Sequence, residues 1–216
     1  MKQIKIWDSA IRLFHWALVV AIAFSLFSAF QDKIMTGYDT MHLYAGLAVL
    51  TLTGFRITWG FIGSETARFS SFIASPRRVL AYLKNQDTGN SVGHNPIGGW
   101  SVVLMLILLF LQALMGLFSS DAMFFEGPLT AMAGDRAGMI TEWHRIAGYL
   151  LIGVIITHLV AVIYYSLVKK ITLIKPMITG NKMVNNSVTE PKQKSWLLAV
   201  AVLLAIAATV YYMILA

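Results

Sequence analysis

The sequence predicts an all-α integral membrane protein: a four-helix bundle followed by a fifth transmembrane helix at the C-terminal end. Three observations predict it. Of the 216 residues, 57% are hydrophobic before the 16 glycines are counted, and 12% are charged. A soluble domain is about 45–50% apolar with glycine included and about 25% charged. A water-soluble globule and a disordered chain are both excluded on that ground. Second, five apolar stretches recur, each close to the 20 or so residues that a helix needs to cross about 30 Å of hydrocarbon. Third, none of them alternates as a barrel strand does, so lipid requires them to be helices.

The first span runs from about Ile11 to Phe30 and holds Arg12 and His15. It has the basic start and apolar run of a leader peptide. The run is long, however, and Phe27-Ser28-Ala29-Phe30 lacks a small residue at −3, so it is read as a retained helix. The second span, His42 to Ile62, holds Arg56. The third, Trp100 to Phe118, is uncharged, and Gly98, Gly99 and Gly116 on or near it read as helix-packing positions. The fourth, Ile146 to Val168, has His158 as its one ionisable group apart from tyrosines. The fifth, Trp196 to Ala216, is uncharged.

The loops carry their own signals. Residues 63–99 contain Pro76-Arg77-Arg78 and Tyr82-Leu83-Lys84, a candidate for a short amphipathic helix on an anionic lipid surface. Residues 119–143 are acidic, with Gly127-Pro128 and Gly134 as turn signals. Residues 181–195 read as a polar, flexible linker. The expected organisation is a domain over 1–180 with spans at about 11–30, 42–62, 100–118 and 146–168, then the linker, then the fifth helix over 196–216.

Loop charge predicts orientation. With the N-terminus inside, the inner side carries 14 Lys and Arg against four acids, a net of +10. The outer side carries three against six, a net of −3. Asp32 and Lys33 are in the outer count and Asp87 in the inner one. The expectation is a multi-pass protein of the bacterial inner membrane, N-terminus cytoplasmic and C-terminus periplasmic. The overall charge of +7 then answers to lipid rather than to nucleic acid.

The chain has no cysteine, which removes disulfides, thiolate haem, cysteine-ligated clusters and covalent haem attachment. Five histidines remain as metal ligands. Ionisable residues inside spans are costly and usually functional. His15 lies near the inner end of the first span, His42 opens the second on the outer side, and His144 precedes the fourth. His158 follows His144 by 14 residues, about 21 Å along a helix and only about 40° short of four full turns. Two imidazoles on one face at opposite depths match two stacked b-type haems, each taking two axial imidazoles. Depth pairs His42 with His144 for an outer haem and His15 with His158 for an inner one.

A repeated pattern supports this reading. His42-Leu-Tyr-Ala-Gly46 and His144-Arg-Ile-Ala-Gly148 both read His-x-x-x-Gly, and a glycine one turn below a ligand lets a flat macrocycle approach the backbone. Arg56 stands 14 residues after His42, where the fourth span has His158. It is a candidate partner for an inner haem propionate or a quinone head group. The plainer alternative is an arginine snorkelling to the inner interface. Arg77, Arg78 and His94 are further quinone candidates, although His94 in its Gly/Pro-containing loop also reads as an ordinary hydrogen-bonding residue.

At this point the sequence resembles a known family. Trp7-Asp8-Ser-Ala-Ile-Arg12-Leu-Phe-His15-Trp16, His42-x-x-x-Gly46, Arg56-Ile-Thr-Trp59-Gly60-Phe61-Ile-Gly63 and Ala67-Arg68-Phe69 with Pro76-Arg77 and Tyr82-Leu83 are similar to the bacterial cytochrome b561 and Ni,Fe-hydrogenase b-type cytochrome subunit family. His94-Asn95-Pro96-x-Gly98, Gly127-Pro128-Leu129 and Pro176-Met177-Ile178-x-Gly180 fit the same pattern, over about residues 4–182. The resemblance implies a four-helix dihaem membrane cytochrome that passes electrons between a periplasmic redox partner and the quinone pool. It carries over His15, His42, His144 and His158 as haem ligands. The implied partners are a c-type cytochrome or hydrogenase-like subunit, quinone and membrane lipid, with a homodimer left open. Two rival expectations are a stand-alone superoxide:quinone oxidoreductase and a haem-free transporter or proton path. The fifth span departs from the four-helix pattern.

Overall fold

The computed structural model describes residues 1–31, 37–84, 92–121 and 125–215. Asp32, Lys33 and Asp87 of the charge count, and Ala216 of the fifth span, lie outside the described residues. The chain opens with strand β1 (Lys2–Lys5) and helices α1 (Ser9–Ala29) and α2 (Tyr38–Ile62). A 3-10 turn (Glu65–Ala67), α3 (Phe69–Phe72) and α4 (Pro76–Leu83) come next, then α5 (Pro96–Leu117). After α6 (Thr130–Ala133) and a 3-10 turn (Gly134–Arg136) come α7 (Ala137–Leu167), α8 (Ile174–Thr179), strand β2 (Asn181–Val184) and α9 (Trp196–Leu215). Among the described residues five helical runs, those of α1, α2, α5, α7 and α9, are long and apolar enough to cross a membrane. The protein is an all-α membrane helical bundle.

Capping sets several boundaries. Asp8 caps α1 by accepting from the Ile11 N–H at 2.6 Å. Asn95 caps α5 by accepting from the Gly98 N–H at 2.6 Å, and Pro96 supplies a first residue that needs no donor. Ser75 and Pro76 open α4 in the same way. The largest departure from the expected spans is α7, which begins at Ala137 rather than Ile146. Its first turns are polar: Thr141 returns its hydroxyl to the Ala137 carbonyl, and Glu142 pairs with Arg145. Helical bonding continues past the apolar stretch by which the sequence marked the span.

The helices pack as an arc. α1 lies along α2, α2 along α5, and α5 along α7, while α9 packs on the outside of α2. Gly54 lets α9 come close, since a Cβ there would stand 3.0 Å from Ile206 Cγ2. Among the described residues of α7 only Ala137 and Leu151 are buried. α4 buries none of its residues and exposes Leu80 and Leu83 beside Arg77 and Arg78, in keeping with an interfacial helix. The Tyr82 and Tyr165 hydroxyls, 3.2 Å apart, link it to α7.

One end of the bundle is closed by a small antiparallel ribbon of β1 and β2, in the register Lys2–Val184 to Lys5–Asn181. We call this the β end and its opposite the far end. Gly180 makes the ribbon possible: its φ is +85°, and its carbonyl accepts from both Ile6 N–H (2.8 Å) and Trp7 N–H (3.1 Å). The stretch read from sequence as a flexible linker is instead tied down. The Lys192 N–H donates to Glu65 Oε2 (2.9 Å), the Lys194 N–H to Ser64 Oγ (2.9 Å) and the Glu65 N–H to the Lys192 carbonyl (3.0 Å). Its polar side chains and backbone find partners in the loop after α2, a pairing with no local signature.

Asp8 also joins α1 to α2, because its second oxygen accepts from Trp59 Nε1–H at 3.1 Å, and Trp59 is 1% exposed. Asp8→Ala loses a cap worth about 1 kcal/mol and leaves a buried donor unmet at about 1–3 kcal/mol. Asp8→Asn should fall between wild type and alanine, since its amide can restore the cap but turns an N–H toward the Trp59 N–H. Thermal unfolding in detergent, followed by circular dichroism, gives the order of the three.

Candidate functional site

α7 carries a line of residues seven apart: Ala137, His144, Leu151, His158 and Tyr165. Seven residues are close to two turns, so the five share one face. The two buried residues of the helix stand on this line, alternating with the histidines. His144 and His158 therefore face the interior at different depths, with Leu151 midway.

At the far end a cavity of about 380 Å³ opens between α1, α2, α5 and α7, and His42, Gly46, Gln112, Gly116, His144 and Gly148 are among its lining residues. Cofactor-sized pockets run from about 300 to 1,000 Å³. The His42 and His144 rings have centroids 6.1 Å apart and planes at 88°. Two metal–imidazole bonds of about 2 Å, with each ring centre roughly 1 Å behind its nitrogen, require about 6 Å. The spacing fits one metal ion held between the rings.

Hydrogen bonds set the tautomers. His42 Nδ1–H donates to the Ser25 carbonyl on α1 at 3.0 Å, with Ser28 Oγ at 3.3 Å. His144 Nδ1–H donates to the Gln112 carbonyl on α5 at 3.0 Å. With Nδ1 protonated, each Nε2 keeps a lone pair for a metal, the arrangement usual for ligating histidine. Gln112 Nε2 lies 3.4 Å from His144 Nε2 and donates to the His144 carbonyl at 2.9 Å.

The glycines leave the room that a flat group needs. A Cβ at Gly46 would meet nothing within 4 Å, and one at Gly148 would stand 3.2 Å from Gln112 Nε2. Gly116, read from sequence as a helix-packing position, lies against the His144 ring of α7: a Cβ there would come 3.2 Å from His144 Cε1. Sequence reasoning missed Gln112 altogether. Its signal is the one amide side chain in the uncharged third span.

His15 and His158 lie within electrostatic reach of each other. His15 Nδ1 is enclosed and has no hydrogen-bond partner, unlike its far-end counterparts. Because α1 starts at Ser9, His15 sits two turns inside the helix, deeper than the apolar pattern alone placed it. Among the described residues no three His, Asp or Glu side chains converge, so pairs are what the chain offers a metal.

Arg56 is 3% exposed, with its guanidinium 5.3 Å from the Phe69 ring centre and 5.8 Å from that of Phe72. It is packed inside rather than snorkelling, and its Nη1 has no hydrogen-bond partner. His94 lies between Trp7 (4.9 Å) and Phe72 (4.7 Å), so Arg56 and His94 share one aromatic cluster. Arg77 and Arg78 are exposed on α4.

The chain matches the family described as prokaryotic cytochrome b561 over residues 6–180. That match begins just before α1, ends at the glycine closing α8, and leaves out α9. A protein of Azotobacter vinelandii described as a probable Ni/Fe-hydrogenase B-type cytochrome subunit is 22% identical over 218 residues, covering 82% of this chain and 88% of the relative. No solved structure matches.

Burial, and then the Arg56 cation, push the His94 imidazole down to about 3. The unfolded chain titrates this group near pH 6.5 and so takes up the proton first. The His94 contribution is therefore whole above about pH 6.5 and is lost as pH falls toward 3, at up to about 1.4 kcal/mol per pH unit. Unfolding midpoints at pH 7.5 and 5 should differ more in the wild-type chain than in His94→Gln. Equal differences would contradict this.

Proposed function

Because the chain belongs to the prokaryotic cytochrome b561 family, membrane b-type cytochromes of electron transfer, we propose that it carries electrons across the bacterial inner membrane between an outer redox partner and the quinone pool, through two haem b groups held by histidine pairs. The observation that carries this reading is the His42–His144 pair, spaced for one metal with both Nδ1 atoms bound to carbonyls of neighbouring helices. Bound haem supplies one-electron chemistry at its iron. The chain binds and orients it: His42 and His144 at the far end, His15 and His158 at the β end, with Gly46, Gly116 and Gly148 giving clearance.

Leu151 stands midway along α7 between the two levels, is 6% exposed, and is among the residues lining the far-end cavity. The β end is the proposed cytoplasmic side, on the loop-charge argument. Arg56 and His94 support a quinone head group or haem propionate there, since Arg56 Nη1 and His94 Nδ1 are enclosed without partners. Arg77 and Arg78, exposed beside Leu80 and Leu83, fit a lipid surface better than a quinone.

At the far end the acids are not equivalent. Glu142 is engaged twice by Arg145, at 2.5 and 3.1 Å, and Asp121 accepts from the Phe125 N–H at 2.9 Å. Glu126 and Asp135 are the exposed acids left to meet a basic carrier, a c-type cytochrome or hydrogenase-like subunit. α9, outside the family match, is free to contact another subunit or a second copy through its exposed face.

Single replacement of His42 or His144 by alanine should remove one spectral component, and replacement of His15 or His158 the other, each leaving one haem per chain by absorbance. His94→Ala should leave two. Loss of the same component by His42 and His158 variants would overturn the pairing. Reduction by a cationic c-type cytochrome should slow as salt rises and slow again in Glu126→Gln with Asp135→Asn, because exposed charges act mainly on encounter rates. Rates indifferent to both would point to an apolar contact instead.

A further inference from the structure

The C-terminal end of α7 is closed by a turn that doubles back on the helix. The Val168 and Lys169 N–H groups both donate to the Tyr164 carbonyl, at 2.9 and 3.2 Å, and the Ile171 N–H donates to the Tyr165 carbonyl at 2.9 Å. Lys170 makes this possible by taking φ +54°, among the described residues the one positive φ outside glycine. A left-handed residue at the end of a helix is usually glycine, because a side chain is strained there. Strain that persists points to a use. What lysine adds over glycine is a cation, exposed beside that of Lys169.

A second pair of cations stands near it. Tyr165, in the last turn of α7, and Tyr82 of α4 hold their hydroxyls 3.2 Å apart. Lys169 follows Tyr165 by four residues and Arg78 precedes Tyr82 by four, so each pair sits about one turn, roughly 6 Å, from the tyrosine contact. Arg77 and Arg78 on one side and Lys169 and Lys170 on the other are all exposed. Arg77, Lys169 and Lys170 have no carboxylate partner among the described residues. The β-end acids are engaged elsewhere: Asp8 by the Ile11 N–H and Trp59, Glu65 by the Lys192 N–H and Glu190 by the Lys5 N–H. Apolar side chains adjoin both pairs. Leu80 and Leu83 are exposed on α4, and Ile171 and Ile174 are exposed just after α7.

We infer that α4 and the turn after α7 together form a site for one anionic phospholipid carrying two phosphates. Each phosphate is met by one cation pair, and the acyl chains lie on the exposed leucines and isoleucines. Charge complementarity selects the occupant. Two cation pairs on two elements, joined at the tyrosines, match two linked phosphates better than one. Basic pockets between membrane helices on the inner side hold head groups of this kind. The apolar side chains beside the cations favour a lipid over a free phosphate. A lipid so placed fastens α4, which buries none of its own residues, to the end of α7. The site uses none of the four histidines and stands whether or not they hold haem.

The test uses the full chain, purified in detergent and freed of co-purified lipid, with bound lipid counted by native mass spectrometry. Diphosphatidylglycerol should bind as a single molecule per chain and more tightly than phosphatidylglycerol, and phosphatidylcholine should not be retained. Lys170→Gly is the central variant. Glycine suits the left-handed turn, so the thermal midpoint without lipid should equal or exceed that of the wild-type chain. Affinity for diphosphatidylglycerol should nevertheless fall about fivefold, the effect of one cation near a lipid surface. Arg77→Gln with Lys169→Gln, one cation from each element, should lower it further. Lys2→Gln with Lys194→Gln removes the same charge elsewhere at the β end and should leave the affinity unchanged. Equal loss in that control pair would show a general effect of charge and overturn the site. So would unchanged affinity in Lys170→Gly, or phosphatidylglycerol binding as tightly as the two-phosphate lipid. Pyrophosphate displacing the lipid at equal concentration would mark a free-anion site and overturn the lipid assignment.

Discussion

A polar side chain at membrane depth has no water to turn to, so it must find its partner in the protein. The far-end histidines meet that constraint through the backbone of their neighbours. His42 on α2 takes the Ser25 carbonyl of α1, and His144 on α7 takes the Gln112 carbonyl of α5. Each bond crosses between neighbouring helices, so it ties the bundle together and aims an imidazole in the same act. The Nε2 atoms are left facing one cavity because the Nδ1 atoms are held behind them. Gln112 adds a second tie through its side chain to the His144 carbonyl.

The β end obeys the same rule by different means. Asp8 meets the first turn of α1 and the indole of Trp59 together, and the Gly180 carbonyl gathers the N–H groups of Ile6 and Trp7. β1, β2, the turn after α2 and the tail before α9 form a polar lid over the helix ends. Beneath it Arg56 and His94 are enclosed by Trp7, Phe69 and Phe72. One end of the molecule thus presents an open cavity with acids on its rim. The other presents a closed, cation-bearing aromatic cluster. α9 stands on α2, with a smaller contact to α1, and so adds bulk to the side of the bundle where those two helices lie.

Much was legible in the sequence because lipid makes hydrophobic length a direct readout of helices, and because the helical period turns a 14-residue spacing into a shared face. The four histidines, the two His-x-x-x-Gly patterns and the amphipathic segment at Pro76–Leu83 rest on those two regularities. Helix ends were less legible. Residues 137–145 continue α7 by backbone bonding that polar side chains tolerate at an interface, so hydropathy stopped too soon. The tail over 181–195 read as flexible because its partners, Ser64, Glu65 and Lys5, lie more than 100 residues away.

The sequence by itself determined the class of molecule and its apolar spans, and the helical period set His144 and His158 on one face of one helix, since each depends on composition or on repeat along one helix. Only the tertiary structure decided that Ser25 and Gln112 are the acceptors behind the far-end histidines, that His15 Nδ1 has none, that Gly116 clears the His144 ring, and that Arg56 is enclosed rather than exposed. Those outcomes depend on which helices become neighbours and at what depth they cross. Side chains far apart in the chain meet only when the arc of α1, α2, α5 and α7 has formed, and no local pattern encodes that meeting.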